Sequence, residues 1–193
     1  MPQVSIDNLV AAALAGKLVS FPTDTVPALA TLPEYAGLIF AAKQRNQDKP
    51  LILMAASADE FWDFVVGSDA ELEIWQQVAA KYLPGALTMV LPASPKVPKA
   101  MNPIDPTTIG MRVPASVLAQ SILARTGPMA TTSANLSGQP ALLTMAEIEA
   151  QFPDVLALAV TECEDVTSMG IPSTVAKWTD GQWQILRQGG VKL

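Results

Sequence analysis

Half of this 193-residue chain is apolar, yet the apolar residues come only in short runs. The longest, such as residues 9–15 and 155–160, are far below the roughly 20 residues a bilayer span needs. The N-terminus lacks the basic segment and apolar stretch of a secretory leader. A chain of this length buries roughly 70% of its unfolded surface, enough for a core without cross-links. A soluble, cytoplasmic protein is expected, with no membrane contact and a single domain over residues 1–193.

Short apolar runs alternating with helical stretches are the pattern of an α/β domain. Residues 9–14 read as a helix that Gly16 stops. Strands are expected over 17–21, 51–55, 87–91, 109–113, 128–131, 155–160, 174–178 and 183–187. Pro33 opens a helix with Leu38, Ala41 and Ala42 on one face. Ser57 with Glu60, Ser68 with Glu71 and Thr144 with Glu147 are three capping boxes, so a helix should start at each. Residues 92–106 hold five prolines and read as a surface loop. Helices and strands do not alternate strictly, which favours a twisted mixed sheet flanked by helices over a simple doubly wound parallel one.

The chemistry is bounded by what is missing. The chain has no histidine and one cysteine, Cys163. That removes Ser-His-Asp and Cys-His arrangements, imidazole zinc sites and any intramolecular disulfide. Cys163 has no basic neighbour to activate it and reads as an inert thiol. No metal-ligating cluster is expected. The formal net charge of −6 argues against a protein whose main task is coating nucleic acid. Lysine, arginine, hydroxyls, carboxylates, backbone amides or a carboxylate-held metal must carry the function.

Five segments concentrate such groups. Residues 21–27 run from a strand into a proline turn with Thr23, Asp24 and Thr25, a natural small-ligand contact and equally an ordinary capping turn. Residues 43–51 place Lys43, Arg45 and Lys49 together, suiting a polyphosphate or a helix C-terminus. In residues 108–114, Thr108 precedes Arg112, an arginine inside an apolar strand. It needs a carboxylate, from the protein or from a substrate. Residues 129–138 end a strand in Thr131, Ser133, Asn135 and a glycine, a loop that suits phosphate or ribose as well as a simple Asx turn. Finally Ser173 and Thr174 lead one strand, and Arg187 ends the next.

In this order and spacing the segments resemble the YrdC-like family, which includes the threonylcarbamoyl-AMP synthases of TsaC type. The resemblance runs from Val19 to Gly190 and includes a Pro-Gly-x-x-Thr motif ending at Thr88. It implies a twisted α/β fold with a concave, positively charged cavity. It also implies an enzyme, a nucleotidyltransferase that joins ATP, L-threonine and bicarbonate into threonylcarbamoyl-AMP with release of pyrophosphate. By motif, Lys43, Arg45 and Lys49 would face the ATP phosphates, with Lys43 and Arg45 catalytic. Ser133, Asn135, Thr108 and Arg187 would hold the nucleotide. Thr25, Arg112, Thr131 and Ser173 would line the threonine pocket, supported by Thr23. Mg²⁺ would be held through ATP oxygens, and tRNA, double-stranded RNA and tRNA-modification proteins are the implied partners. A divergent paralogue that binds RNA or nucleotide without synthesis is the alternative. Departures from the family pattern fall at Pro27, Ala28, Leu29 and Ala30, at Met54 and at Ala141, and residues 108–114 look closer to YciO-type relatives.

Overall fold

A computed structural model of the chain describes residues 3–163 and 168–193. Helix α1 (Ile6–Leu14) starts on Ser5, whose hydroxyl accepts from the amide of Asn8, and ends before Gly16 at φ +75°. Strands β1 (Val19–Phe21) and β2 (Ala28–Thr31) form an antiparallel pair around the turn at residues 22–27. A 3-10 turn at Pro33–Tyr35 leads into α2 (Gly37–Lys43), then β3 (Ile52–Met54), a 3-10 segment Ala58–Phe64 and α3 (Asp69–Tyr82). Next come β4 (Leu87–Pro92), β5 (Thr108–Arg112), α4 (Val117–Thr126), β6 (Met129–Ser133), α5 (Met145–Gln151) and β7 (Leu156–Ala157). The chain closes with β8 (Thr174–Thr179) and β9 (Gln182–Arg187). Asp180 and Gly181 join that hairpin with φ of +52° and +76°, the backbone a two-residue turn requires.

Among the described residues the strands form one mixed sheet in the order β7-β1-β2-β6-β3-β5-β4-β8-β9. β3 pairs parallel with β5 and antiparallel with β6, and β4 pairs antiparallel with β5 and parallel with β8. The expected mixed sheet flanked by helices is therefore present. Two apolar clusters cover it. One gathers α1, α4 and α5 over β1 and β2, through Leu9, Phe21, Leu29, Ile122 and Ile148. The other packs Trp75, Phe61 and Phe40 on the inward residues of β3, β4, β5 and β8. Each fully buried Leu, Met or Phe there contributes about 1.5–3 kcal/mol from burial alone.

Several expectations need correction. β2 and α4 have no counterpart among the elements expected from the sequence. β2 is only four residues long and wholly buried, so it shows no alternation. α4 does carry its signals, an N-cap on Ser116 and Gly127 at φ +76° after its last turn. Helix α2 buries Ile39, Phe40 and Lys43, whereas Leu38 and Ala41 are exposed and Ala42 is half-buried. The Ser57–Glu60 capping box is formed but starts a 3-10 segment, not an α-helix. The proline-rich loop is partly internal. Met101 on it is fully buried, and its carbonyl accepts from the amide of Leu51. The strand expected at 155–160 is reduced to two residues.

Between β9 and the C-terminus the chain passes close to the residues that lead into β8. A methyl group on Gly189 would come within 2.2 Å of the Pro172 carbonyl oxygen and 2.4 Å of the Ser173 carbonyl carbon. Only glycine fits, so Gly189→Ala should cost about 1–3 kcal/mol by overpacking and lower the thermal midpoint. An unchanged midpoint would contradict this close approach.

Candidate functional site

The face of the sheet opposite the Trp75 cluster floors a cavity of about 650 Å³. Strand alternation decides which side chains reach it. On β5, Thr108, Gly110 and Arg112 line the cavity while Ile109 and Met111 enter the core. On β4, Thr88 and Val90 line it; on β8, Val175 and Lys177 do. The register aligns Thr131, Ile52, Gly110, Val90 and Lys177 in one row across five strands. A parallel row brings Thr88, Val175 and Arg187 side by side. The turns after β1, α2 and β6 and the segment before β8 supply the walls, through Thr25, Arg45, Asp48, Ser133, Asn135 and Ser173.

Arg112 is 5% exposed and holds the floor to the wall. Its Nη2 donates to Asp24 Oδ1 at 2.7 Å, Nη1 to Thr25 Oγ1 at 2.7 Å and Nε to the Gly85 carbonyl at 3.1 Å. Burial pulls the guanidinium below its ordinary value, and the Asp24 carboxylate pushes it back up. The protein thus provides the carboxylate that a buried arginine requires. A guanidinium has five N–H donors, so two remain for a ligand. Thr23 donates to the Val26 carbonyl at 2.8 Å, so in its 3.2 Å contact with Thr25 it must accept. Thr25 accordingly donates to Thr23 and accepts from Arg112, and Thr23 lies behind the wall.

Arg187 donates from Nε and Nη2 to the Ser173 carbonyl at 3.1 and 2.9 Å. Burial lowers its pKa from the ordinary arginine value. Ser173 Oγ in turn lies 2.8 Å from Thr88 Oγ1. Arg45 donates to the carbonyls of Lys49 and Pro50 at 3.0 and 3.2 Å, which leaves three of its N–H groups unspent. Thr131 donates to the Ile52 carbonyl at 3.1 Å.

Three expected residues are not on the cavity surface. Lys43 has 0% exposure, and its ammonium donates to the Ser133 carbonyl and, at 3.0 Å, to Asn135 Oδ1. Its own carbonyl accepts from the amide of Ser137 at 3.2 Å. Lys43 therefore grips the loop after β6 from behind and does not face the cavity. Lys49 is exposed outside the lining, and Thr23 is covered by Thr25. Asn135 does reach the lining, but its amide is fully engaged. Oδ1 accepts from Lys43 and from Ser133 Oγ at 2.6 Å, and Nδ2 donates to the carbonyls of Leu136 and Gln139 at 2.7 and 2.8 Å. It shapes the loop and has no donor left over. Sequence reasoning missed Lys177, Asp105, Asn102 and Gln139 in the lining, and Asp24 as the partner of Arg112. For Lys177 the signal was present, since alternation through Val175 puts it on the ligand side.

The lining thus combines four cations (Arg45, Arg112, Lys177 and Arg187) with two carboxylates (Asp48 and Asp105) and a hydroxyl-rich wall. This arrangement defines an α/β protein whose sheet carries, on one face, a cavity suited to a small polar ligand. The comparisons agree on its kin. The Sua5/YciO/YrdC family model, described as telomere recombination, matches residues 11–189, and the chain belongs to that family. A threonylcarbamoyl-AMP synthase of Pyrococcus abyssi is 35% identical over 183 residues, 92% of this chain and 52% of the relative. One of Vibrio campbellii is 33% identical over 190 residues, 96% of this chain and 99% of the relative. The chain therefore spans about half of the first relative and nearly all of the second. The crystal structure of P. abyssi Sua5 complexed with L-threonine superposes with a TM-score of 0.82 at 30% identity, covering 96% of this chain and 54% of that one.

Two outcomes follow from the buried charges. Arg112→Met would leave Asp24, 14% exposed at its side chain, without its cation. The expected loss is about 3–5 kcal/mol in chemical denaturation, partly restored in the Arg112→Met/Asp24→Asn double variant. The second concerns Lys43, which burial first, then Arg45 and Lys49, lower from 10.5 to about 7. The unfolded chain binds this proton up to the ordinary value, so between about pH 7 and 10.5 the unfolded state carries the extra proton. Stability must then rise with pH across that window. Relative to Lys43→Met, the wild type should gain unfolding free energy over this range, and a pH-independent difference would refute it.

Proposed function

We propose that the chain condenses ATP, L-threonine and bicarbonate into threonylcarbamoyl-AMP and pyrophosphate, as a nucleotidyltransferase acting in the threonylcarbamoyladenosine modification of tRNA. The observation that carries this reading is Arg112 on the cavity floor, with two N–H groups unspent beside the hydroxyl of Thr25. That pair suits the carboxylate and hydroxyl of an amino acid, and the relatives' names and the threonine-bound Sua5 support the choice of threonine. Ser173 and Thr131 complete this pocket. Arg45 and Arg187 take the phosphates, with Thr108 toward the nucleoside, while Ser133, whose hydroxyl donates to Asn135, shapes the loop beside them. Lys43 serves the phosphates indirectly, by fixing the Ser133–Asn135 loop. With Asp24 paired to Arg112, four cations stand against three carboxylates, a balance that favours an anionic ligand in this reading.

Each residue then has a task that needs no covalent intermediate. The threonine amine adds to bicarbonate and loses water to give a carbamate. A carbamate oxygen attacks the α-phosphorus in line, the bond to the β-phosphate oxygen breaks, and pyrophosphate leaves. Arg45 and Arg187 neutralise charge developing on the phosphates, while Arg112 and Thr25 hold the nucleophile in place. Among the described residues there is no cluster of three or more His, Cys, Asp or Glu, so Mg²⁺ would be held mainly through triphosphate oxygens, with Asp48 and Asp105 the carboxylates within the lining. When bound it would add to the charge neutralisation the arginines provide. No helix among the described residues is long and apolar enough to cross a membrane. Proteins that pass the adenylate to tRNA are the partners this product requires.

Pyrophosphate release should need ATP, threonine and bicarbonate together. ATP turnover indifferent to threonine would overturn the reading. Arg45→Ala should slow release by roughly 100-fold, the usual consequence of removing one preorganised charge-stabilising group.

A further inference from the structure

Of the four cations in the lining, three are tied to the protein: Arg45 to two carbonyls, Arg112 to Asp24 and Thr25, and Arg187 to Ser173. Lys177 is different. Among the described residues its ammonium has no hydrogen bond or ion pair, although it is half-buried on a strand paired on both sides. Asp105 lies within reach of its field, but that carboxylate accepts from the amide of Thr107 at 3.2 Å and from the Thr107 hydroxyl. Lys177 therefore keeps its three N–H donors unspent, opposed only through space by Asp105, and can take a further anion. Register shows where that anion would sit. Lys177 follows Val175 by two residues on β8, and Val175 is opposite Arg187 on β9. The ladder shifts register between Val175 and Ala176; about 6.8 Å along β8 and about 4.8 Å across to β9 put the two Cα atoms roughly 8 Å apart. Two long side chains on the same face can converge over that span on one phosphate or on neighbours in a chain.

We propose that Lys177 is a phosphate-binding residue of this cavity, closing with Arg187 on the phosphate chain of the nucleotide. The assignment rests on the reading that the cavity takes ATP. It adds a contact that none of the segments carrying the resemblance nominated. Lysine acts there as a point charge on a flexible stem, able to follow the phosphates as pyrophosphate departs. The arginines, fixed by their carbonyl partners, set the frame.

Calorimetric titration of the full chain with ATP and with adenosine decides the matter. Lys177→Met should weaken ATP binding about tenfold, Lys177→Arg should restore it to near the wild-type value, and adenosine should bind all three proteins alike. Equal ATP affinity in wild type and Lys177→Met would overturn the assignment. So would an equal loss for adenosine, which would mean a collapsed pocket and not a missing charge. Failure of the wild type to bind ATP would instead overturn the proposed function on which the assignment depends.

Discussion

A guanidinium buried at the end of a central strand is the constraint around which this molecule is arranged. Arg112 would be a large liability on β5 without its three protein partners. Asp24 and Thr25 come from the turn after β1, and Gly85 from the segment before β4. One side chain thus joins chain segments 27 to 88 residues apart, and the wall and floor of the cavity cannot separate without exposing an unpaired charge. The pairing consumes only part of the guanidinium. The same residue that closes the structure still has donors for a ligand, so its structural and binding roles are compatible.

A second buried cation does related work on the other side. Lys43 sits at the end of α2 and reaches the loop after β6 with both its ammonium and its carbonyl. Through Asn135 this grip extends to the carbonyls of Leu136 and Gln139. A loop built this way presents Ser133 at a defined position without relying on its own sparse packing. Its ammonium gives up the proton more readily than an ordinary lysine because it is enclosed and two other cations stand near.

The two faces of the sheet divide the labour. Leu53, Met89, Ile109, Met111 and Ala176 pack beneath the strands, and their alternate neighbours line the cavity as a mixture of apolar residues (Ile52, Met54, Val90, Val175) with Thr88, Thr108, Gly110, Arg112 and Lys177. Gly110 sits in the centre of the ligand-facing row, where a side chain would occupy floor space between Ile52 and Thr88. The Trp75, Trp178 and Trp183 rings, with centroid separations of 6.2 and 5.3 Å, brace β8 and β9 against α3. Trp178 Nε1 also donates to Glu71 at 3.0 Å, so the cap of α3 and the far edge of the sheet share one carboxylate. The hairpin that holds Arg187 and Lys177 is thereby tied to the core.

Much of this was legible in the residues themselves. Apolar runs too short for a membrane, period-two strands and capping residues determined the α/β class, most strands and the starts of α3 and α5, because such signals act within a few residues. The hydroxyl-bearing and cationic segments were legible for the same reason, and nine of the twelve residues they nominated line the cavity. What the sequence left open was direction. Lys43 and Lys49 stand six residues apart and look alike in composition, yet one is enclosed behind a loop and the other lies in solvent. Arg112 needed a carboxylate, and only the approach of a turn 88 residues away made it Asp24. Such choices depend on which elements meet across the sheet. The packing of the whole chain decides that, by leaving each buried charge a partner it can reach.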